Sequence, residues 1–338
     1  MKAVVCTALG DPSVLKLMEW PSRKPEHGEV RVEMFAGGVN FADLLVISGR
    51  YQEEWVPPFV LGTEGAGIVV ECGPGVTTLR PGDRVVIQNN AGRACYAEEL
   101  TVPAERATPV PDELRLCDVA ALPINFGTAY YALVNRGRVA EGEVVVVHGA
   151  SGGVGLAAVQ VAKMLGATVI ATGGDDGKLE LVRRLAGADH VLNYTAGPVS
   201  RQILDLTDGR GADVFYDPVG GDVFDDSLRA IASEGRLIVI GFTSGRIPSV
   251  TANRVLFKNI SIVGAPYGHF STSEPGKRDA MIRTLLDLMR EGRLKFHIHE
   301  RFPLSEAGAA LRLVQTRAVV GKCILMTERG YEELRSRD

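Results

Sequence analysis

A run of small residues between two apolar stretches has the composition and spacing of a phosphate-binding turn. Four valines, Val144–Val147, predict a buried parallel strand, and the alanine-rich stretch after Val154 predicts a helix. Between them, Ala150, Gly152 and Gly155 occupy the small-residue positions of the G-x-G-x-x-G pattern, with alanine in first place. Small residues there permit a tight turn and bring a pyrophosphate close to the N–H groups that begin the helix.

An ordinary glycine-rich turn between a strand and a helix is the alternative explanation. The strand before the turn and the helix after it favour nucleotide binding, because the pattern without that context is weak evidence. We therefore predict a dinucleotide site at this turn. Its predicted pyrophosphate contacts are Ala150, Ser151, Gly152, Gly153 and Val154.

The composition predicts a globular protein of two domains, with 338 residues, 46% of them hydrophobic and 23% charged. The net charge of −4 comes without blocks of like charge, so we expect neither a nucleic-acid nor a membrane partner. The five scattered cysteines argue against a disulfide framework and against a cysteine-rich zinc site. No apolar stretch has membrane-spanning length, and the amino-terminal one is too short for a signal peptide, so we expect a cytoplasmic protein.

The first part of the chain has the pattern of a mostly β domain. Short runs bounded by glycine and proline predict strands such as Lys2–Cys6, Glu29–Met34 and Gly65–Gly73. A short helix is predicted between them at Asn40–Ser48. These elements together predict a partly open β-barrel.

From Val144 onward, predicted strands and helices alternate, which is typical of a doubly wound parallel sheet with strand order 3-2-1-4-5-6. The predicted strands are Val144–Val147, Thr168–Ala171, His190–Leu192, Ala212–Tyr216, Arg236–Ile240 and Ile260–Val263.

After Ala265 the alternation stops, so the remaining elements are expected to return to the first domain. They are an amphipathic helix at Asp279–Glu291, a helix capped by Ser305, a final strand at Val319–Met326 and a polar tail from Glu328. We therefore assign residues 1–123 and 266–338 to one discontinuous domain, and residues 124–265 to the nucleotide-binding domain.

Five motifs together carry a resemblance to a known family. They are Gly38-Val39-Asn40-Phe41-Ala42-Asp43, Leu61-Gly62-Thr63-Glu64-Gly65-Ala66-Gly67, Pro81-Gly82-Asp83-Arg84-Val85, the glycine turn, and Gly187-Ala188-Asp189-His190-Val191. With them the chain resembles the zinc-independent medium-chain dehydrogenases/reductases of the quinone oxidoreductase (zeta-crystallin-like) branch. The resemblance implies an α/β protein with a GroES-like partly open β-barrel catalytic domain and a Rossmann domain with a six-stranded parallel sheet.

The same resemblance implies that zinc is absent. Asn40 stands where the zinc-dependent relatives have a cysteine ligand, and Thr63 stands where they have a histidine ligand. Glu64 matches, but a single carboxylate does not make a zinc site. Without a metal to polarise the substrate oxygen, we expect reduction of an electron-poor small molecule, a quinone or an α,β-unsaturated carbonyl.

The resemblance also favours NADPH over NADH. Gly173 occupies the position of the acidic residue that binds the ribose hydroxyls in NAD-dependent folds, whereas Lys178 and Tyr194 match positions that bind the 2′-phosphate. Asp175 and Asp176 are the contrary evidence, because their charges would repel that phosphate. We interpret them instead as the capped start of a helix.

Candidate catalytic residues follow from the same comparison. Asn40 is expected to donate to the carboxamide of the nicotinamide or to the substrate carbonyl, Tyr51 to be a pocket phenol, and Thr63 to line the nicotinamide site. A polar turn residue is the alternative for Asn40, and a loop anchor is the alternative for Tyr51. Further expected contacts of the nicotinamide half are Thr128, Gly241, Phe242 and Thr243.

Two other functions stay open at this point. An enoyl-thioester reductase would need a basic portal, for which the candidates are Arg254, Lys258, Lys277 and Arg278. A non-catalytic NADPH-binding protein, of the crystallin or RNA-binding kind, is the other alternative. The family is often dimeric, and Ile260–Val263 is the predicted edge strand through which a homodimer would form.

Overall fold

The computed structural model describes residues 1–90 and 92–337, and the chain divides into two compact units. Unit 1 comprises Met1–Ile124 and Gly268–Asp338, and unit 2 comprises Asn125–Tyr267. The predicted assignment was 1–123 with 266–338, and 124–265, so it differs by one residue at one junction and by two at the other. Within the described residues no helix is both long and apolar enough to cross a membrane.

The strands are numbered in chain order. They are β1 (Lys2–Cys6), β2 (Leu15–Glu19), β3 (Glu29–Gly38), β4 (Phe59–Val60), β5 (Glu64–Cys72), β6 (Arg84–Gln88), β7 (Glu99–Pro103), β8 (Ala107–Pro109), β9 (Val144–Val147), β10 (Thr168–Gly173), β11 (His190–Asn193), β12 (Ala212–Asp217), β13 (Ile231–Val239), β14 (Ser261–Gly264), β15 (Ile298–Pro303) and β16 (Lys322–Met326).

The α-helices are numbered in the same way. They are α1 (Phe41–Ile47), α2 (Leu116–Val119), α3 (Leu122–Tyr130), α4 (Gly153–Met164), α5 (Asp176–Ala186), α6 (Ser200–Leu206), α7 (Gly221–Ala230), α8 (Ala252–Lys258), α9 (Tyr267–Ser273), α10 (Pro275–Arg290), α11 (Ala307–Gln315) and α12 (Glu328–Arg337).

Unit 2 contains the predicted parallel sheet. Its strand order is β11-β10-β9-β12-β13-β14, and every pairing is parallel. This confirms the order 3-2-1-4-5-6. Val145, Val146 and Val147 are fully buried because β9 lies in the middle of the sheet. The chain after β9 therefore emerges at the carboxyl edge where the strand order reverses, which is the usual ligand position in this topology.

Unit 1 contains a mainly antiparallel sheet in which β3 pairs with β5, β7 and β16. Residues from the carboxyl-terminal segment take part in it, because Ile324 on β16 lies opposite Gly38 on β3. That register brings the start of β16 next to the loop that follows β3. A core of Leu44, Ile47, Leu61, Leu311 and Leu325 packs beneath this region.

Two details of the carboxyl-terminal segment were predicted incorrectly. Ser305 does not cap a helix: β15 runs to Pro303, a 3₁₀ turn follows, and α11 begins at Ala307 with Glu306 at its N-cap. The polar tail is largely the helix α12. The Glu333 carboxylate accepts hydrogen bonds from the Leu116 and Cys117 N–H groups at 3.0 Å, so this charged segment satisfies the buried N–H groups at the start of α2.

Candidate functional site

The loop after β3 places Asn40 in the interior of unit 1. The Asn40 main-chain N–H donates to Asp43 Oδ2 at 2.9 Å, which fixes the entry to α1. Its side-chain Nδ2 donates to Gly38 O at 3.0 Å and to Glu64 Oε1 at 2.9 Å, and lies 3.4 Å from Thr63 Oγ1. The structure therefore brings Asn40 and Thr63 together, and it engages the Asn40 amide within the protein.

A buried lysine completes this cluster. Lys322 Nζ donates to Asn40 Oδ1 at 2.6 Å and pairs with Glu64 Oε1 at 2.5 Å. The side chains of Lys322 and Glu64 are 3% and 0% exposed, so the pair is shielded from water. The other Glu64 oxygen accepts the Ile124 N–H at 2.7 Å. A Cβ at position 38 would lie 2.5 Å from Glu64 Oε1, so only glycine fits beside this carboxylate.

Lys322 is absent from the set of site residues predicted from the sequence. The available signal is a lysine at the start of an otherwise apolar strand, since Cys323–Met326 are all apolar and all buried. A charged residue that is nearly fully buried requires a partner. The sequence alone does not name that partner, because Asn40 lies 282 residues away.

A second charged group in unit 1 centres on Asp43, which is fully buried. Tyr96 donates its hydroxyl proton to Asp43 Oδ2 at 2.6 Å, and Arg93 Nη1 lies 3.9 Å from Asp43 Oδ1. Burial raises the pKa of the Asp43 carboxyl, although Tyr96 and Arg93 act in the opposite direction. Asp43 thus links Asn40 to Arg93, which was not predicted as a site residue.

Tyr51 lies on the loop after α1 and is partly buried. The Arg93 guanidinium carbon sits 4.8 Å from the centroid of the Tyr51 ring and 5.0 Å from the centroid of the Trp55 ring. Within the described residues, the Tyr51 hydroxyl makes no hydrogen bond. Its ring is therefore positioned by a cation–π contact while its phenol stays available to another group.

The glycine turn in unit 2 has the geometry of a phosphate cradle. Gly149 adopts a φ of +58°, and α4 begins at Gly153 with Gly152 as its N-cap and with no side chain bonded to that end. The first-turn N–H groups are therefore left for an acceptor outside the helix. A Cβ on Gly155 would lie 2.3 Å from Gly149 O, whereas one on Gly152 would meet only that oxygen, at 3.4 Å.

Three predicted contacts of the adenosine end lie close together at the end of β10. Gly173 is the last residue of β10 and pairs with Asn193, which directly precedes Tyr194. Lys178 lies in the first turn of α5, and its main-chain N–H donates to Asp175 Oδ1 at 2.8 Å. This bond confirms that Asp175 caps the helix. Asp176 accepts a hydrogen bond from Asn193 Nδ2, also at 2.8 Å.

The remaining predicted contacts of the nicotinamide half occupy two other places in unit 2. Thr128 is buried on α3. Gly241, Phe242 and Thr243 follow β13, where the Thr243 N–H donates to Pro218 O at 3.1 Å. Asn125 was not predicted, yet a Cβ on Gly153 would lie 2.6 Å from its Nδ2, so its amide packs against the start of α4.

One of the four residues predicted as a basic portal, Arg278, is buried. Arg278 is 1% exposed and donates to the carbonyl oxygens of Arg106 and Glu105, so it supports the chain and does not face a ligand. Lys277 is exposed and pairs with Glu274 at 3.3 Å. Within the described residues, no group of three or more His, Cys, Asp or Glu side chains is placed to hold a metal.

Comparisons with known proteins agree with this architecture. Residues 26–112 match the alcohol dehydrogenase GroES-like domain, and residues 153–289 match the zinc-binding dehydrogenase domain. The chain is 38% identical to quinone oxidoreductase-like protein 2 of Bos taurus, over 96% of this chain and 92% of the relative. It is 34% identical to the quinone oxidoreductase of Pseudomonas aeruginosa, over 96% and 99% of the two chains.

A solved structure gives the same result. The crystal structure of the Escherichia coli quinone oxidoreductase complexed with NADPH aligns with a TM-score of 0.89 and 30% identity, over 96% of this chain and all of that one. The predicted GroES-like and six-stranded α/β domains are thereby confirmed. The chain belongs to the medium-chain dehydrogenase/reductase family of oxidoreductases, among its quinone oxidoreductase-like members.

Proposed function

We propose that this protein is an NADPH-dependent reductase that transfers a hydride to a quinone or an α,β-unsaturated carbonyl compound without zinc. The observation that carries the proposal is the buried Lys322 ammonium on Glu64 Oε1 and Asn40 Oδ1, at 2.5 and 2.6 Å. The resemblance places zinc ligands of the zinc-dependent relatives at the positions of Asn40 and Thr63. Here an amide, a hydroxyl and an already paired carboxylate are poor zinc ligands, so the substrate must be electron-poor enough to react without a Lewis acid.

The glycine turn fits a dinucleotide, since its helix start is uncapped and the space beside Gly152 is open. Ala150, Ser151, Gly152, Gly153 and Val154 would hold the pyrophosphate. Gly173, Lys178 and Tyr194 would receive the 2′-phosphate, and Thr128, Gly241, Phe242 and Thr243 would hold the nicotinamide half. When bound, NADPH supplies the hydride and the protein supplies its orientation. The Escherichia coli relative, whose structure contains NADPH, supports this choice of nucleotide.

The side chains of unit 1 orient and polarise the substrate. Lys322 and Glu64 hold the Asn40 amide in one orientation, and Thr63 Oγ1 lies at 3.4 Å from that amide. Because the Asn40 amide donates both of its hydrogens within the protein, Thr63 is proposed to contact the carboxamide or the substrate carbonyl, and Asn40 is proposed to position Thr63. Tyr51 is proposed as the donor to the developing enolate or phenolate oxygen, because its hydroxyl has no partner within the described residues.

The experiment is NADPH oxidation by the purified protein with 1,2-naphthoquinone, 9,10-phenanthrenequinone and crotonyl-CoA. We expect turnover with the quinones. No NADPH consumption with any of the three would refute the reductase, and turnover confined to crotonyl-CoA would assign the enoyl-thioester reaction instead. Stoichiometric zinc in metal analysis would refute zinc independence.

Lys178→Ala tests the choice of nucleotide. Loss of one phosphate-binding charge is expected to reduce the NADPH/NADH preference about tenfold, as for a charge-assisted hydrogen bond. An unchanged preference would remove Lys178 from the 2′-phosphate site.

A homodimer is proposed through the edge of the parallel sheet. Strand β14 pairs with β13 in the described sheet and ends its strand order. The helix that precedes it exposes Leu256 and Phe257 at 74% and 82%. A second copy would pair β14 with itself about a twofold axis and cover both apolar side chains. Light scattering is expected to give a dimer for the protein and a monomer for Phe257→Asp, and a monomeric parent protein would refute the proposal.

A further inference from the structure

Two of the three nitrogens of the buried Arg93 guanidinium have no hydrogen-bond acceptor. Its side chain is 1% exposed, and its Nε and Nη1 atoms have no acceptor. The nearest carboxylate, Asp43, is 3.9 Å away at Oδ1, which is beyond hydrogen-bond distance, and that oxygen also lacks a donor. Leaving such groups unsatisfied is costly, because each has lost its hydrogen bonds to water.

The backbone fixes the guanidinium in this position. The Arg93 N–H donates to Asn89 O at 2.7 Å, and Asn89 Nδ2 donates to Arg93 O at 2.6 Å. Arg93 and Ala94 have φ values of +51° and +68°, which lie in a region that residues other than glycine rarely adopt. Strain of this kind persists where the surrounding structure imposes it and is frequent at functional sites.

Two aromatic side chains stack on the guanidinium. Tyr51 and Trp55 stack on it with ring centroids at 4.8 and 5.0 Å from its central carbon, and Trp55 Nε1 also has no acceptor. Between Gln52 and Pro58 the described structure records no hydrogen bond, so ring contacts with Arg93 and Phe59 hold this segment. The cluster therefore has three unpartnered donor nitrogens and a single unpartnered acceptor oxygen.

The charges of the cluster indicate which kind of acceptor fits. Arg93 pairs with Asp43 and Lys322 pairs with Glu64, so the numbers of positive and negative charges are equal. A carboxylate on the ligand would leave a net buried negative charge beside Asp43. A neutral carbonyl oxygen satisfies the free donors without adding a charge in the ground state.

We propose that Arg93, assisted by Trp55 Nε1, receives the second carbonyl oxygen of a quinone and thereby selects quinones over single-carbonyl enones. This proposal rests on the reductase function proposed above. In the reaction the quinone gains one hydride, which carries two electrons and one proton, and becomes the hydroquinone monoanion while NADPH becomes NADP⁺. A second proton from solvent then gives the hydroquinone.

Arg93 acts on the charge that develops in this step. Hydride transfer to one quinone carbonyl oxygen turns that oxygen into a hydroxyl and leaves the negative charge on the opposite oxygen, which is the oxygen that Arg93 receives. The guanidinium strengthens its hydrogen bond as that charge develops, so it stabilises the anion more than the neutral quinone. An enone has a single carbonyl oxygen, and when Thr63 holds that oxygen, as proposed above, no second oxygen is left for Arg93.

The test compares the full-length protein with Arg93→Met, Arg93→Lys and Trp55→Phe, and with Arg80→Met as an exposed control in the same unit. Binding of 1,4-naphthoquinone in the presence of NADP⁺ is measured by calorimetry. In parallel, kcat/KM is measured for 1,4-naphthoquinone and for cyclohex-2-enone. Thermal unfolding monitors the fold of each variant.

For Arg93→Met we expect the Kd for the quinone to rise, and kcat/KM for the quinone to fall, by about tenfold to a hundredfold, as for loss of a hydrogen bond to a charged group. Cyclohex-2-enone turnover should change by less than about threefold, and Arg80→Met should behave as the parent protein. Trp55→Phe keeps the ring and loses one neutral donor, so a loss of about threefold for the quinone is expected.

Equal losses for both acceptors would overturn the proposal and make Arg93 a clamp for the Tyr51–Trp55 loop. Unchanged quinone binding would overturn it as well. If Arg93→Met does not fold, the same comparison of the loss for the quinone with the loss for the enone is made with Arg93→Lys and Trp55→Phe. A protein that binds the quinone but oxidises no NADPH would refute the reductase function, while the binding ratio would still decide the role of Arg93. A protein that neither binds nor reduces the quinone would refute both proposals.

Discussion

The candidate sites of the two units are built from different kinds of chemical group. In unit 2 the proposed nucleotide site consists of main-chain N–H groups at one turn, between β9 and α4, with small residues that leave space around them. In unit 1 the site consists of side chains from distant segments, among them Asn40, Glu64, Arg93 and Lys322. A site made of main-chain N–H groups does not depend on particular side-chain functional groups, but it does not tolerate added volume at its close contacts. A side-chain site tolerates little change of charge, because each buried ion depends on its partner.

Removal of one buried ion from unit 1 is expected to have the largest effect on stability. Lys322→Met leaves the Glu64 carboxylate buried without its cation, so the free energy of unfolding of unit 1 should fall by about 3–5 kcal/mol. Urea denaturation measures this loss. The double variant Lys322→Met/Glu64→Gln removes both charges and should recover more than half of it. A loss for the single variant of less than about 1 kcal/mol, as for exposed ion pairs, would contradict the buried-pair interpretation.

Added volume should matter at one glycine of the turn and not at its neighbour. Gly155→Ala places a methyl group 2.3 Å from Gly149 O, so the free energy of unfolding should fall by about 1–3 kcal/mol. Gly152→Ala meets only Gly149 O at 3.4 Å, so the fold should be retained while NADPH binding weakens about tenfold. Thermal unfolding and NADPH fluorescence titration measure the two effects. If Gly152→Ala binds NADPH normally, the pyrophosphate does not lie on this face of the turn.

Unit 2 also contains a buried titratable group, His148, just before the turn. Its ring nitrogens contact Thr172 Oγ1 at 2.8 Å and Ser227 Oγ at 2.7 Å, and burial lowers its pKa below the ordinary value of 6.5. The unfolded state therefore binds a proton that the folded state does not as the pH falls below 6.5. The stabilising contribution is present above that pH and is lost below it, down to the depressed folded pKa.

At pH 5.5 this difference amounts to at most about 1.4 kcal/mol of unfolding free energy. Urea denaturation at pH 7.5 and pH 5.5 should therefore show a smaller acid loss for His148→Gln than for the parent protein. An identical loss in the two proteins would show that His148 does not titrate differently on unfolding.

The smallest expected effect tests the start of α5. Asp175→Ala removes the cap on the Lys178 N–H and should lower the unfolding free energy by about 1 kcal/mol, whereas Asp175→Asn keeps a capping oxygen and should cost less. The NADPH/NADH affinity ratio of Asp175→Asn should change by less than about fivefold, as for an exposed charge pair. A larger gain in NADPH affinity would show that Asp175 opposes the 2′-phosphate.

The sequence by itself determined the parts of the molecule that depend on local geometry. The strand–turn–helix at the glycine turn spans about twenty residues, and each step follows from residue size and apolar spacing. The Asp175 cap lies three residues from its donor. The strand order of unit 2 followed because right-handed crossovers leave few arrangements of alternating strands and helices. In these cases the interacting groups are close along the chain or constrained by topology.

Only the tertiary structure decided the composition of the unit 1 site. Asn40 and Lys322 are 282 residues apart, and they meet because Ile324 on β16 lies opposite Gly38 on β3. Strand register over such a separation depends on packing of the whole unit, which residue types alone do not specify. Arg93 resembles a surface charge in the sequence, since burial and missing hydrogen-bond partners are properties of the folded chain. The strand, glycine turn and helix were therefore predictable from their residues, whereas the buried ion pairs of unit 1 were not.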